Sequence, residues 1–174
     1  MSGISYDLRK IRAVAFDVDG VLSPSTMPMS ADGEPMRMVN VKDGYALQLA
    51  VKCGLRVAII TGAVSRAVDV RFRALGIEDV YVGASKKIDV LERWMRENSL
   101  LPEEVAYVGD DIPDYQPMMH VGLKVAPADA AVDIRRIADY ISPVDGGYGV
   151  GRDLLEQILR AQGHWMLDEK AFGW

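Results

Sequence analysis

Short apolar runs alternate with segments of helical periodicity along almost the whole chain. The apolar runs lie at about residues 12–18, 55–61, 79–83, 104–109, 122–126 and 139–141, and are typical of strands buried on both faces. Helical patterns lie at about 44–53, 64–75, 86–98, 113–119, 131–137 and 151–162. This alternation predicts an α/β fold with a doubly wound, Rossmann-like parallel sheet. A length of 174 residues suits a single domain over residues 1–174.

The segment at residues 23 to 41 interrupts this alternation after the first strand. Turn residues at 31 to 34 lie between two short extended stretches, which predicts a β-hairpin insertion. Four methionines, Met27, Met29, Met36 and Met38, would be exposed there on a monomer. Methionine is enriched at protein interfaces, which favours a contact between subunits. The alternative is that these side chains pack on the domain's own core.

Composition and charge exclude several classes of partner. The net charge is −5 and the isoelectric point is near 5.0, which argues against a nucleic-acid or anionic-membrane partner. The single Cys53 excludes an internal disulfide and suits a reducing compartment. Because the first ten residues lack the apolar core of a signal peptide and no run is long enough to span a membrane, we expect a cytoplasmic protein.

Acidic and other polar side chains follow the apolar runs, where open α/β sheets bind ligands. Asp17 and Asp19 come directly after the first run, Thr61 and Gly62 after the second, Lys87 after the third, and Asp110, Asp111 and Asp114 after the fourth. Taken alone, the first acid pair could be a helix cap or a turn. Four of these carboxylates, those of Asp17, Asp19, Asp110 and Asp114, would repel one another at one edge by about 4 kcal/mol per close pair, so a cation is needed. All-oxygen ligands favour Mg²⁺.

The order of these groups resembles the haloacid dehalogenase superfamily of phosphoryl-transfer enzymes over roughly residues 11 to 126. The resemblance implies that Asp17 is the nucleophile and Asp19 the general acid and base. Thr61, Gly62 and Lys87 would hold the phosphoryl group, with Lys86 as the rival to Lys87. The implied metal site comprises Asp17, Asp19 through its main-chain carbonyl, Asp110, and Asp114, which would orient the ligands or a metal-bound water.

The spacing of these groups leaves no room for a cap domain. Only 41 residues separate Asp19 from Thr61, and only 25 separate Thr61 from Lys87. An open site needs either a large substrate or closure by another subunit.

Further motifs resemble one family, the 3-deoxy-D-manno-octulosonate 8-phosphate phosphatases of lipopolysaccharide precursor synthesis. They are the stretches at residues 39–45, 59–62, 75–77, 108–114 and 146–149, and the spacing from Val68 to Arg71. The resemblance implies an Mg²⁺-dependent phosphatase of a small phosphorylated sugar acid. Implied substrate contacts are Asn40, Val41, Lys42, Asp43, Gly44, Gln48 and Arg71. Lys42 and Arg71 would give cationic partners to its carboxylate or phosphate; the alternative is a solvated charge at a helix end or on a helix face.

Two positions depart from the family pattern. Many members carry arginine where this chain has Ala63 and Gln48, so two cationic contacts are missing. Members that act on the nine-carbon analogue often carry glutamate at the position of Ala63, which favours the eight-carbon substrate here. The nine-carbon keto-acid phosphate or another sugar phosphate is the alternative.

The resemblance also implies a homotetramer whose tails approach adjacent active sites. Residues 163 to 174 form a tail that includes Trp165, Phe172 and Trp174, although a free tail would normally be polar. The tail could complete a neighbouring site or pack on the chain's own surface.

A non-enzymatic alternative is a receiver module of a phosphorelay, which is also doubly wound and is phosphorylated on aspartate. In receivers, however, the acid pair ends the first strand and the phosphorylated Asp ends a later one. An acid such as Asp19, which would hydrolyse the adduct, also favours a phosphatase.

Overall fold

A computed structural model describes residues 3–167 and 169–173. Its sheet has six parallel strands in the order β3-β2-β1-β4-β5-β6. The strands are β1 (Ala13–Phe16), β2 (Arg56–Ile60), β3 (Asp79–Tyr81), β4 (Val105–Val108), β5 (Leu123–Ala126) and β6 (Tyr140–Ile141). The helices are α1 (Val41–Lys52), α2 (Arg66–Arg73), α3 (Lys87–Glu97), α4 (Tyr115–Met119), α5 (Val132–Ile137) and α6 (Val150–Ala161). The predicted doubly wound α/β fold is therefore confirmed.

The observed helix start differs from the predicted one by three residues in α1, by two in α2 and α4, and by one in the other helices. Helix α1 begins at Val41, before the predicted start at residue 44, because the Asn40 side chain accepts hydrogen bonds from the Lys42 and Asp43 N–H groups. Helix α4 begins at Tyr115, after the predicted start at residue 113, because Ile112–Asp114 form a separate 3-10 turn. These shifts place Val41, Lys42 and Asp43 in the first turn of α1, and Asp114 in the 3-10 turn before α4.

Alternate residues of β1 face two apolar layers. Val14 and Phe16 pack in the layer that contains α1 and α6, whereas Ala13 and Ala15 face the layer around Trp94 of α3. Because both faces of the strand are covered, its backbone is held rigidly and its carboxyl end has a fixed position. In the part of the chain that the structure describes, no helix is both long enough and apolar enough to cross a membrane.

The segment at residues 23 to 41 turns back on itself without forming regular strands. A single antiparallel bridge joins Met29 to Pro35, and Gly33 at the turn has a φ of +82°, a conformation that glycine adopts readily. Met29, Met36 and Met38 are exposed by 70%, 49% and 48%. About half or more of each of these three residues is therefore left uncovered by the chain's own core.

The described part of the tail packs on its own chain. Trp165 is buried, makes an edge-on contact with Tyr45 at 5.8 Å and lies beneath the Arg152 guanidinium at 4.4 Å. The Tyr45 hydroxyl also donates to the Ala171 carbonyl. For Trp165 these contacts favour the alternative of packing on its own surface, and Trp174 lies outside the described residues.

Candidate active site

The central strands bring the predicted groups to one edge of the sheet. Strand β1 lies between β2 and β4, so Asp17, Thr61 and Asp110 follow three adjacent strands. The Asp17 N–H donates to the Val108 carbonyl at 3.0 Å, which continues the sheet pairing to the acid. Asp17 is 6% exposed, so its carboxylate is largely buried at the end of β1.

The Lys87 ammonium group lies between two carboxylates. Its Nζ is 2.8 Å from Asp17 Oδ2 and 2.7 Å from Asp114 Oδ1, and the lysine is buried at the first turn of α3. Lys86, the alternative candidate for binding the phosphoryl group, pairs instead with Asp89 at the surface. The structure therefore places Lys87, and not Lys86, beside Asp17.

Asp114 uses both carboxylate oxygens inside the protein. Oδ1 accepts from Lys87 Nζ and from the Tyr107 hydroxyl, the latter at 2.8 Å. Oδ2 accepts from the N–H groups of Asp110 at 3.1 Å and Asp111 at 3.4 Å. With four donors already bound, Asp114 orients its neighbours, and Asp17 and Asp110 have more capacity to bind an ion.

Asp110 lies against a backbone that only glycine permits. A Cβ on Gly20 would come within 1.9 Å of Asp110 Oδ2, and one on Gly146 would come within 1.9 Å of the Gly20 carbonyl oxygen. Gly147 N–H also donates to the Val21 carbonyl at 2.8 Å. The glycine-rich stretch at 146–149 therefore supports the loop after β1 at close range.

The charge of this cluster fits a divalent cation. Asp17, Asp110 and Asp114 offer oxygens within 4.8 Å of one another, and one lysine leaves these three carboxylates with excess negative charge. Burial, with a contribution from Asp114, raises the pKa of Asp17 to about 8 and that of Asp110 to about 7. Burial alone would lower the pKa of Lys87, but Asp17 and Asp114 raise it above its ordinary value. The oxygen-rich donor set suits Mg²⁺.

Thr61 carries its hydroxyl group at the carboxyl end of the sheet. It is buried at the end of β2, and its Oγ1 accepts from the Ala63 N–H at 3.2 Å. A hydroxyl that accepts one hydrogen bond can still donate its own proton. Gly62 follows at the surface, so this turn can present N–H and O–H donors together.

Asp19 is paired with an arginine of the hairpin segment. Arg37 Nε lies 2.7 Å from Oδ1 and Nη2 lies 2.8 Å from Oδ2. The hydrogen bonds to Asp19 raise the pKa of Arg37 above its ordinary value. This bidentate pair fixes the side chain that was predicted as the general acid and base.

Four of the predicted substrate contacts line one cavity of about 290 Å³, whose lining includes Val18, between Asp17 and Asp19, but none of the clustered carboxylates. They are Asn40, Asp43, Gly44 and Arg71, and the hairpin segment supplies much of the opposite wall. A Cβ on Gly44 would come within 2.5 Å of Arg71 Nη2, so the guanidinium lies over the first turn of α1. Val41, Lys42 and Gln48 do not line this cavity.

Asp43 has a structural task as well. Its Oδ1 accepts from the Arg152 N–H at 2.6 Å, in the first turn of α6, where Gly149 provides no side-chain cap. Its Oδ2 is buried without a hydrogen-bond partner among the described residues. Burial raises the pKa of Asp43 to about 6. Asp43, predicted as a substrate contact, therefore caps α6, which lies far away in the sequence but packs against α1.

Known proteins resemble the chain over nearly its full length. The 3-deoxy-D-manno-octulosonate 8-phosphate phosphatase of Escherichia coli strain K12 is 42% identical over 159 residues, which cover 91% of this chain and 84% of that protein. The chain belongs to the 3-deoxy-D-manno-octulosonate 8-phosphate phosphatase family. No family model matches the sequence.

Solved structures agree with this assignment. The Moraxella catarrhalis phosphatase of this family, in complex with magnesium ion, phosphate ion and 3-deoxy-D-manno-octulosonate (KDO), is 31% identical, with a TM-score of 0.89 and 96% of each chain covered. The Yersinia pestis phosphatase is 36% identical, with a TM-score of 0.88, covering 94% of this chain and 87% of that one. The haloacid dehalogenase-like fold that the sequence of this chain predicts is therefore confirmed.

Sequence reasoning missed three groups at the site. Arg37 lies in the hairpin segment, where only the methionines attracted attention. Tyr107 reads as one more apolar residue of a buried strand, although its hydroxyl bonds to Asp114. The stretch at 146–149 resembles a family motif, but no pattern in the sequence indicates its contact with Gly20.

Proposed function

We propose that this protein is an Mg²⁺-dependent phosphatase that hydrolyses 3-deoxy-D-manno-octulosonate 8-phosphate to the free sugar acid and phosphate. The observation that carries the proposal is the buried carboxylate of Asp17, which pairs with Lys87 and clusters with Asp110 and Asp114. Thr61 lies at the end of the neighbouring strand β2. Family membership supports the substrate class, since the Escherichia coli relative is a 3-deoxy-D-manno-octulosonate 8-phosphate phosphatase.

Asp17 would attack the phosphorus in line with the sugar oxygen. The bond from phosphorus to that oxygen breaks, and an aspartyl-phosphate forms on Asp17. Asp19 would protonate the leaving oxygen, and would then take a proton from the water that hydrolyses the aspartyl-phosphate. The two proton transfers return Asp19 to its starting state.

The remaining groups hold the phosphoryl oxygens as their charge shifts. Lys87 Nζ bonds to two carboxylates and has a third N–H for the phosphoryl group. The Thr61 hydroxyl and the Gly62 N–H would bind further oxygens. When bound, Mg²⁺ supplies positive charge between nucleophile and phosphate. Asp17, Asp110 and the Asp19 carbonyl would hold it, with Asp114 orienting them.

A substrate panel tests the proposal. Phosphate release would be measured with the eight-carbon and nine-carbon keto-acid phosphates and with simple sugar phosphates. We expect the highest kcat/KM for the eight-carbon ester, because Ala63 lacks the glutamate associated with the longer substrate. A higher value for the nine-carbon ester would reassign the substrate. Stable phosphoprotein without phosphate release would contradict a phosphatase.

We also infer the setting of the reaction from the family. The protein would act in lipopolysaccharide precursor synthesis, in the cytoplasm, as a single domain. It would assemble as a homotetramer through the exposed methionines of the hairpin segment, without a nucleic-acid or membrane partner. In this assembly Asn40, Val41, Lys42, Gly44, Gln48 and Arg71 would contact the substrate. The exposed tail side chains Leu167 and Phe172 would approach a neighbouring site.

A further inference from the structure

Arg37 joins the hairpin segment to the loop that carries the acid and base. Its Nε and Nη2 each bond to a different oxygen of Asp19, at 2.7 and 2.8 Å. Its Nη1 lies 3.4 Å from the Pro35 carbonyl oxygen in the same arm of the hairpin. The Arg37 side chain is 13% exposed, compared with 35% for Asp19. The guanidinium is thus a fixed and mostly buried anchor for a more exposed carboxylate.

A second link lies one residue further along the chain. The Met38 N–H donates to Ser23 Oγ at 3.1 Å, and Ser23 is buried. The Ser23 carbonyl in turn accepts from the Gly20 N–H at 2.8 Å. Consecutive residues of the hairpin therefore contact the loop after β1 at two points, Asp19 and Ser23.

A general acid must lie within hydrogen-bond reach of the oxygen that it protonates. A partly exposed aspartate on a loop can turn away from that position, and a bidentate arginine fork fixes its direction. The pairing leaves chemistry available, because each carboxylate oxygen can accept a second hydrogen bond or a proton. Arg37 can therefore orient Asp19 without using all of its acceptor capacity.

We propose that Arg37 is a positioning residue that holds Asp19 for proton transfer, so that the hairpin segment belongs to the catalytic apparatus. This inference rests on the proposed function, in which Asp19 protonates the leaving oxygen. It makes no use of substrate contacts, since Arg37 acts through Asp19. Its consequence is a dependence on the leaving group.

Leaving groups separate this role from a general loss of structure. Arg37→Gln keeps the length of the side chain but loses the charged fork. For an alkyl phosphate and for the sugar-acid ester, we expect kcat/KM, which reports the formation of the aspartyl-phosphate and not its later hydrolysis, to fall by about tenfold or more, as part of the 100- to 10,000-fold typical of general acid catalysis. For 4-nitrophenyl phosphate, whose leaving group needs no proton, we expect a change of less than about threefold by the same reasoning.

Three further variants provide the controls. Arg9→Gln removes a similar bidentate pair, Arg9 with Asp7, at the surface and should leave all three rates unchanged. In an Asp19→Asn background, Arg37→Gln should cost little more, because the group that it positions is already lost. Arg37→Lys keeps the charge and should restore part of the alkyl-ester rate.

An equal fall in kcat/KM for alkyl and aryl esters would overturn the inference, as would full additivity with Asp19→Asn. A rise in KM for the sugar-acid ester with unchanged kcat would also overturn it, since that would make Arg37 a substrate contact. If Arg37→Gln fails to fold, the same comparison in Arg37→Lys decides the matter. A wild-type protein inactive on every ester would contradict the phosphatase proposal itself, and this inference with it.

Discussion

Lys87 Nζ lies 2.8 Å from Asp17 Oδ2, and both side chains are buried. The lysine also contacts Asp114 at 2.7 Å, so one cation compensates two buried carboxylates. Removing one partner of a buried ion pair leaves an uncompensated charge, which costs about 3–5 kcal/mol. The pair thus links the stability of the fold to the chemistry of the site.

Replacing this lysine should affect both stability and activity. Lys87→Met keeps the apolar stem but removes the ammonium, and we expect a loss of about 3 kcal/mol in the metal-free protein. kcat/KM should fall by about 100-fold or more, because a phosphoryl ligand is lost. Lys86→Met is the matched control, since Lys86 pairs at the surface with Asp89. Equal effects of the two substitutions in denaturation and phosphate-release assays would contradict the assignment of Lys87.

Metal binding should depend on pH through the acidic cluster. The pKa of Asp17 rises from 3.8 to about 8, and that of Asp110 from 3.8 to about 7, in the metal-free fold. Between these values the folded state holds protons that the unfolded chain has lost, so this contribution to stability is lost as pH rises from about 4 to about 8. Mg²⁺ binding should displace the protons and should therefore stabilise more at pH 8.5 than at about pH 5.5.

Thermal unfolding in chelator and in saturating Mg²⁺ would measure this effect. At a hundredfold excess over its dissociation constant, Mg²⁺ should add about 2.7 kcal/mol and raise Tm by about 5 to 10 °C. Asp110→Asn should reduce both the metal shift and its pH dependence. A metal shift independent of pH, or full activity in excess chelator, would refute the metal assignment.

Asp43 should matter for stability through α6. Asp43→Ala removes the cap on the Arg152 N–H and should cost about 1 kcal/mol near pH 5, as other caps do. Because burial raises the pKa of Asp43 to about 6, the carboxylate becomes less favourable as pH rises from about 4 to above 6, and the cost of the substitution should shrink. Unchanged denaturation curves at pH 5, with a raised KM, would instead indicate a direct substrate contact.

The exposed tail side chains test the proposed assembly. Leu167 and Phe172 are 80% and 74% exposed on this chain, so Leu167→Ser with Phe172→Ser should leave the protomer folded. If these side chains are buried by a neighbouring subunit, the double variant should dissociate at concentrations where the wild type sediments as a tetramer. It should also lose more activity on the sugar-acid ester than on a small ester. A fully active wild-type monomer would refute the shared site.

The sequence predicts the sheet and the acidic cluster well, because both depend on local signals. An apolar run followed by acid specifies a strand and its end, and parallel strands bring their ends together. The pairing of Arg37 with Asp19 spans 18 positions and depends on how a nearly bridge-free hairpin folds back. No periodic pattern in the sequence indicates which residue of the hairpin will face Asp19.

Contacts between distant segments were also hidden. Asp43 and Arg152 are 109 positions apart, and Asp43 looks like a helix-start acid until α6 is placed beside α1. Trp165 looks like an interface residue because a tail is normally polar, yet Arg152 and Tyr45 provide a pocket for it on its own chain. In both cases tertiary packing decides the role of the side chain.

The central claim is that Asp17 is the covalent nucleophile. Phosphate release from 3-deoxy-D-manno-octulosonate 8-phosphate by Asp17→Asn, which keeps the side-chain volume, tests it most directly. Asp111→Asn is the control, since Asp111 is an exposed acid of the same strand end. We expect the Asp17 variant to fold and to fall below about a thousandth of the wild-type rate, with the control near wild type. A tenth or more of wild-type activity in a clean Asp17→Asn preparation would contradict the covalent mechanism.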